Sequence, residues 1–423
     1  MPDELDKLRG RLDEVDGHII AALAQRQQVI NEIARHKAGQ PTPVRDALRE
    51  QEVLTRLVEM GKQAALDEHF VARVYRQILD YSVRCQEEHL IQHHDPERAV
   101  RRTPHVGYLG IEGSYSHLAA TKHFSPRGDD AVYRGCDSFR EMLDAVHAGS
   151  LDCAVLPIEN TTAGSINAGY DLLTRMNLAL IGEEVLDVTH CLLTLGPVPL
   201  GELHSICSHP EALAQCSDFL AGLPSCRQES CRDTAYAARK VRADGNRLQA
   251  AIASADAGAR YGLHVLQGDL SNQRDNQTRF VIVAAAPVSY DLRIRCKTSL
   301  VFATRHEQGA LLACLNVLGR QGLNLTKLES RPRPGMPWEY LFYADFEGNV
   351  AEERVQAALR ELATATSYLR LLGSYPVRVS PLGRGVRSEG NGRVVRAAGS
   401  AGPLLAPNGA PGGASAPAAE PPH

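Results

Sequence analysis

The 423-residue chain carries Lys+Arg 46 against Asp+Glu 50, a net charge of −4, with 43% hydrophobic residues and mean hydropathy −0.24. At roughly 150 residues per domain this length points to about three domains, and the balanced charge excludes the basic stripe of a nucleic-acid binder. The longest apolar run, Phe280 to Val288, is too short to span a membrane, and the acidic MPDELDKLRG start is unlike a signal peptide. Ten cysteines without a CxxC pair and sixteen histidines without HExxH or HxH predict reduced thiols, no metal site and a cytoplasmic protein.

Residues 1–95 read as helix almost throughout. Leu5, Leu8, Leu12, Val15, Ile19 and Leu23 recur at steps of three and four, one face of a long helix. Gly39, Pro41 and Pro43 break it, a second helix runs from about 44 to 60 and closes at Gly61, and Phe70, Val74 and Ile78 mark a third. The first stripe continues through Arg26, Ile30, Ile33 and Lys37, which puts two cations on an apolar face within roughly 20° of each other. Ser82 and Gln86 extend the third stripe, and Glu50 shares a face with Ala47, Leu54 and Leu57. Singly, each such residue reads as a buried ion pair or a snorkelling rim; five on three helices point to a polar pocket for an anion.

With LRGRLDEVD, PVRDALRE and SVRCQ, these positions resemble the helical chorismate mutase family over about 90 residues. The resemblance implies that Arg9, Arg26, Lys37, Asp46, Arg49, Glu50, Ser82 and Gln86 bind chorismate. Lys37 and Gln86 would donate to the breaking ether oxygen and Glu50 would accept from the substrate hydroxyl, with no nucleophile or cofactor. Arg9 and Arg26 stand 17 residues apart, about 25 Å along one helix, so they share a site only if the helix bends back or a second subunit supplies one of them. A homodimer is therefore expected.

Asp95-Pro96 and Arg98 to Arg102 read as a linker. From His105 short apolar runs (Val106–Leu109, Cys153–Ile158, Leu178–Ile181, Leu192–Leu195, Ala250–Ala253, Phe280–Ala284) alternate with helical stretches, the α/β pattern. Strand-end turns are rich in hydroxyls and amides: Gly110 to Ser116, Glu159 to Thr162, Ser208-His209-Pro210, Asp233-Thr234 and Asn276 to Arg279. Such turns and helix N-termini suit a small anion in a cleft; His117 and His209 read as structural or capping. The segments GIEGSYSHLAA, LPIENTTAGSI, SHPEALAQC and NQTRFVIV resemble the prephenate dehydratase family, with Ile111 standing where that family usually has proline. This implies a two-lobed, periplasmic-binding-protein-like α/β domain over 103–288 that removes CO2 and hydroxide from prephenate. Thr278 would assist the departing hydroxyl, Ser114, Ser116, Asn160, Thr161, Ser208 and Thr234 would bind substrate, and Arg279 would hold a substrate carboxylate or simply its own loop.

From Thr298 the order strand, helix, strand, strand, helix, strand predicts a ferredoxin-like βαββαβ unit. The GALL segment (Gly309, Ala310, Leu311, Leu312), the stretch Asn324 to Pro332 with its ESRP, and Trp338 resemble an ACT regulatory domain spanning 297–380. That implies L-phenylalanine as a feedback effector held by Gly309, Ala310, Leu311, Asn324, Leu325, Glu329, Ser330 and Arg331. Residues 381–423 hold nine glycines and seven prolines and read as a disordered tail. The whole suggests an all-α mutase domain (1–95), the α/β dehydratase domain and an ACT domain acting in sequence in phenylalanine biosynthesis, without cofactor, metal, nucleic acid or membrane. Arogenate as the dehydratase substrate, or a non-enzymatic small-anion sensor, remain the alternatives.

Overall fold

A computed structural model describes residues 2–40, 42–94, 103–125, 131–273, 275–333, 335–336 and 338–378; the expected linker and tail lie outside the described residues. Three helices open the chain: α1 (Pro2–Ala38), α2 (Ala47–Gln63) and α3 (Glu68–His94). Asp46 caps α2 by accepting from the Arg49 N–H at 3.0 Å. Gly61 does not close α2, which continues two residues further. It is a contact point: a Cβ there would come within 2.6 Å of Val71 Cγ2, so the missing side chain lets α2 and α3 touch. The apolar stripe of α1 also departs from expectation. Leu12 and Ile19 are 60% and 52% exposed, and burial begins only at Ile30 and Ala34, because no other described residue covers the first two-thirds of the helix.

The α/β region follows as β1 (His105–Leu109), α4 (Tyr115–Phe124), β2 (Val132–Cys136), α5 (Phe139–His147), β3 (Cys153–Asn160), β4 (Gly164–Ser165), α6 (Asn167–Arg175) and β5 (Ala179–Asp187). The chain then crosses into β6 (Cys191–Thr194), β7 (Ser205–Ser208), α7 (Pro210–Gln215), α8 (Ser217–Ala221), β8 (Arg227–Ser230), α9 (Thr234–Asp244), β9 (Gln249–Ala253), α10 (Ala255–Tyr261) and β10 (His264–Gln267). It returns through β11 (Gln277–Ala284). One sheet has the order β2-β1-β3-β11-β5, with β4 on β3, and the other β10-β6-β9-β7-β8. These are the two lobes, joined by two crossings. The apolar-run reading misses β2, β8 and β10, sheet edges with mostly exposed side chains, and also the two-residue β4 and the buried β7, whose apolar pair Ile206-Cys207 lies between serines.

The third unit comprises β12 (Cys296–Thr304), α11 (Ala310–Arg320), β13 (Leu325–Pro332), β14 (Tyr340–Glu347), α12 (Glu353–Ala365) and β15 (Thr366–Pro376) in the sheet order β13-β14-β12-β15. It is the ferredoxin-like arrangement. The units share a core, in which Val83 and Leu90 of α3 pack in one cluster with Leu156 and Val281 of the first lobe and Val301 and Leu372 of the third unit.

Charges cross the same junctions. Arg84 of α3 forms a bidentate pair with Glu184 of β5 at 2.7 and 2.8 Å, both buried. The neighbouring Glu183 takes Lys297 and Arg279, each at 2.8 Å. Burial alone would raise the Glu184 pKa, but His123, Arg84 and Lys122 hold it well below the usual carboxylate range. A depressed folded-state pKa stabilises fully above the unfolded carboxyl's range and is lost as pH falls through that range toward the folded value. Arg84→Met, which removes the bidentate partner of Glu184 and leaves it Lys122 and His123, is expected to lower the unfolding free energy by at most about 3–5 kcal/mol, and pairing it with Glu184→Met to recover most of the loss. Denaturant titration followed by circular dichroism at neutral pH measures both.

Candidate active sites

In the helical unit Arg26 reaches across to α3, donating to Ser82 Oγ, which donates in turn to Ile78 O at 2.6 Å. One turn on, Gln86 Nε2 donates to Ser82 O at 3.3 Å, while its buried Oε1 has no hydrogen-bond partner among the described residues. An orphaned buried amide oxygen marks a position that a ligand can complete. Lys37 Nζ bonds Val44 O at 3.0 Å, tying the end of α1 to the entry of α2. With Arg45 and Asp46 it borders an open cavity of about 810 Å³.

Arg26, Ser82 and Gln86 are thus brought together, and Lys37 and Asp46 stand beside the α2 entry. Arg9 is not with them: it sits on the exposed part of α1 and pairs with Asp6 at 3.2 Å. Arg49 points outward to Glu52 at 3.1 Å. Glu50 is clasped by Arg45 at 3.1 Å in a nearly buried pair. Arg45 was not singled out by spacing, since it precedes the helix and lies on no stripe.

In the two-lobed unit the carboxyl ends of strands meet helix N-termini across the cleft. Ser114 caps α4, accepting from His117 N at 3.3 Å and donating to Leu109 O at 3.0 Å. Ser116 is buried in the first turn of that helix. His117 accepts from Gly113 N, and His209 caps α7 through Glu211 N, so both are structural. Gly110, at φ +87, faces Asp233 of the other lobe so closely that a Cβ would stand 3.0 Å from Asp233 Oδ2. Asp233 caps α9 and places Thr234, buried, at that helix's first position.

Thr278 on β11 lies opposite Asn160 on β3. Asn160 Oδ1 accepts from the backbone N–H groups of Thr162 and Ala163 at 2.9 and 2.8 Å, which turns its Nδ2 toward Thr278 Oγ1 at 2.9 Å. Thr278 Oγ1 therefore accepts from Asn160 and keeps its own proton for a ligand. Thr161 pins the strand ends, donating to Asp275 O and accepting from Gln277 N, both at 2.9 Å.

Two expected substrate contacts are corrected. Ser208 is wholly buried, and its hydroxyl bonds Ile252 O at 2.6 Å, tying β7 to β9 rather than facing the cleft. Arg279 follows Thr278 on a strand whose side chains alternate, so it leaves by the opposite face. There it meets Glu183, Asp345 at 2.6 Å and Tyr375 OH at 2.9 Å. Asn276, Gln215 and His190, all buried, bond in series behind Asn160. Asn276 was visible only as part of a turn, Gln215 only inside a motif, and nothing in the sequence pointed to His190.

In the third unit Gly309, at φ +74, precedes α11, which begins with Ala310 and Leu311. Asn324 and Leu325 open β13. Glu329 and Arg331, alternate residues of that strand, turn to the first lobe, where they meet Ser165 and Asp171. Ser330 between them is exposed on the other side.

The chorismate mutase type II family model matches residues 8–87 and the prephenate dehydratase family model residues 106–288. The chain is 39% identical over 371 residues to the bifunctional chorismate mutase/prephenate dehydratase of Enterobacter agglomerans, covering 87% of this chain and 95% of that one. It is 41% identical over 286 residues to arogenate dehydratase/prephenate dehydratase 2, chloroplastic, of Arabidopsis thaliana, covering 66% of this chain and 74% of that one. A crystal structure of prephenate dehydratase in complex with L-Phe from Arthrobacter aurescens is similar with a TM-score of 0.59 at 30% identity, over 64% of this chain and 90% of that one. Because the alignment takes in 95% of a two-activity relative and the two family models fall on the two units just described, the chain belongs to the family of bifunctional chorismate mutase/prephenate dehydratases.

Proposed function

We propose that the helical unit rearranges chorismate to prephenate, the two-lobed unit converts prephenate to phenylpyruvate, and the third unit is an ACT domain that binds L-phenylalanine as feedback effector. The rearrangement is unimolecular, so it needs the substrate held in its reactive shape and charge stabilised at the ether oxygen. Arg26, poised by Ser82, clamps a carboxylate; Lys37 and Gln86 donate to the ether oxygen; Glu50, held by Arg45, accepts from the ring hydroxyl. Asp46 completes the entry side, whereas Arg49, turned outward to Glu52, does not.

Arg9 joins this site from a second subunit. The exposed α1 stripe supports that reading, since a second copy of the same helix would cover it. Arg9→Ala and Arg26→Ala variants should each lose mutase activity. Mixed and refolded together they should recover about a quarter of the wild-type rate, because half the dimers then carry one intact site. No recovery places Arg9 in the same subunit's site or outside it.

In the dehydratase, loss of CO2 sends an electron pair into the ring as the hydroxyl leaves, and aromatisation drives the step. The observation that carries this reading is the bond from Asn160 Nδ2 to Thr278 Oγ1, which leaves the Thr278 proton aimed at the departing oxygen. Thr278→Ala should abolish phenylpyruvate formation while chorismate consumption continues, and Arg26→Ala should stop chorismate consumption while added prephenate is still converted. Coupled loss in either variant rules out separate sites. The Arabidopsis relative's name supports arogenate as a second substrate of the same cleft. All ten cysteines are free thiols, which supports a cytoplasmic setting.

L-Phenylalanine would sit at Gly309, Ala310, Leu311, Asn324 and Leu325, with Glu329, Ser330 and Arg331 linking β13 to the first lobe. The L-Phe complex of the Arthrobacter dehydratase supports this. Trp338, the only tryptophan and 88% exposed, lies beyond the end of β13. Its fluorescence should change on adding L-phenylalanine as dehydratase activity falls; an unmoved signal with unmoved activity removes the effector.

A further inference from the structure

A helix leaves its last carbonyls without partners inside the helix, and α1 ends one residue after Lys37. A partner comes from far along the chain. Arg293 lies in the segment between β11 and β12, and its Nη1 donates toward the carbonyl oxygens of Lys37, Ala38 and Gln40 at 3.1, 3.0 and 2.8 Å. There the cation also meets the negative end of the helix dipole. The same residue holds the other side of the break, since its backbone oxygen accepts from Val44 N at 3.2 Å. Val44 O in turn accepts from Lys37 Nζ at 3.0 Å. Arg293 thus fixes both the backbone that carries Lys37 and the backbone on which its ammonium rests.

Arg293 is itself committed. Asp291 accepts from its Nε and Nη2, each at 2.8 Å, and from its backbone N–H, also at 2.8 Å. With that fork occupied, Nη1 is the part of the guanidinium left to face α1. Asn349 of the third unit, 1% exposed, anchors the segment from behind, its Nδ2 donating to Tyr290 O at 3.1 Å. Tyr290 and Ile294 on either side of Arg293, and Val44 opposite, all lie in the core that the three units share. The segment therefore presents Arg293 to the helical unit from a packed base.

We propose that Arg293 is a positioning residue of the mutase reaction. It holds the end of α1 against the entry of α2, so that the Lys37 ammonium stays beside the cavity it borders with Arg45 and Asp46. The inference rests on the assignment of Lys37 above. A lysine is a point charge on a flexible stem, so its charge is only as well placed as the backbone that carries and receives it. Without the guanidinium, the last turn of α1 loosens and the ammonium drifts from the oxygen on which charge develops. The loss falls on turnover more than on binding, since Arg26, the carboxylate clamp, stands about three turns earlier on α1.

The test uses the full-length enzyme with chorismate. Arg293→Ala should lower mutase kcat by about 10-fold with KM within about twofold, as small misplacements of a reacting group do. Dehydratase activity on added prephenate should stay at the wild-type level, which also reports folding. Arg293→Lys, which keeps a cation at the helix end, should recover part of kcat. Because Arg293 acts through Lys37, Arg293→Ala should cost nothing further in a Lys37→Ala background. An unchanged kcat in Arg293→Ala, equal losses in the Ala and Lys variants, additive losses in the double variant, or a parallel fall in dehydratase activity each overturn the proposal. Lys37→Ala separates the two levels. If it matches the wild type, the assignment of Lys37 fails; if it is impaired and Arg293→Ala is not, the positioning role alone fails.

Discussion

Two consecutive glutamates with no exposure, Glu183 and Glu184, organise the molecule. A strand sends adjacent side chains to opposite faces, so β5 offers one carboxylate to each side of its sheet. Unpaired, either would be prohibitive to bury; each is tolerated because cations of its own unit (Lys122 for Glu184, Arg279 for Glu183) are joined by cations from other units. Glu184 draws Arg84 from the helical unit, and Glu183 draws Lys297 from the ferredoxin-like unit along with the backbone N–H of Arg378 at 3.0 Å. The side chain of Arg378 in turn meets the buried Glu87 of α3. The three units therefore cannot separate without stranding charge. Their mutual placement is set by electrostatic necessity as much as by the apolar core they share.

The same alternation governs β11. Thr278 faces the cleft and Arg279 faces Glu183, Asp345 and Tyr375. Burial works against the Asp345 carboxylate, and Arg279 and Lys297 overcome that and hold its pKa down. The Thr278 hydroxyl, bonded by Asn160, and an inter-unit clamp thus occupy adjacent positions of one strand, and the backbone that carries one is braced by the other.

Much of this was legible in the sequence, for identifiable reasons. Helical stripes and buried strand runs are regular signals, and they located the three helices and the central strands apart from β7, whose apolar stretch is only Ile206-Cys207. The βαββαβ order emerged the same way. Edge strands were invisible because half-exposed strands carry no run. Arg26, Ser82 and Gln86 were legible because a polar residue on an apolar stripe breaks a pattern. Arg279 was misassigned because motif adjacency to Thr278 conceals the change of face, and Ser208 because a turn-end serine looks the same whether it faces a ligand or a neighbouring strand. Glu183 and Glu184 gave no signal, since their partners lie about 100 residues away in sequence.

The two reactions ask different things of the fold, and the polar side chains are distributed accordingly. A pericyclic step needs fixed charge around a dianion, and that charge can be assembled from long side chains on helices, even ones on separate subunits. Expulsion of a hydroxyl needs one proton held in one direction. That demands short, buried side chains whose every donor and acceptor is committed, as Asn160 and Asn276 are. Arginine and lysine accordingly populate the helical site, while amides and hydroxyls populate the cleft. The ion pairs of Arg279 with Glu183 and Asp345 lie on the opposite face of the sheet, where they hold the units together without placing a competing charge beside Thr278.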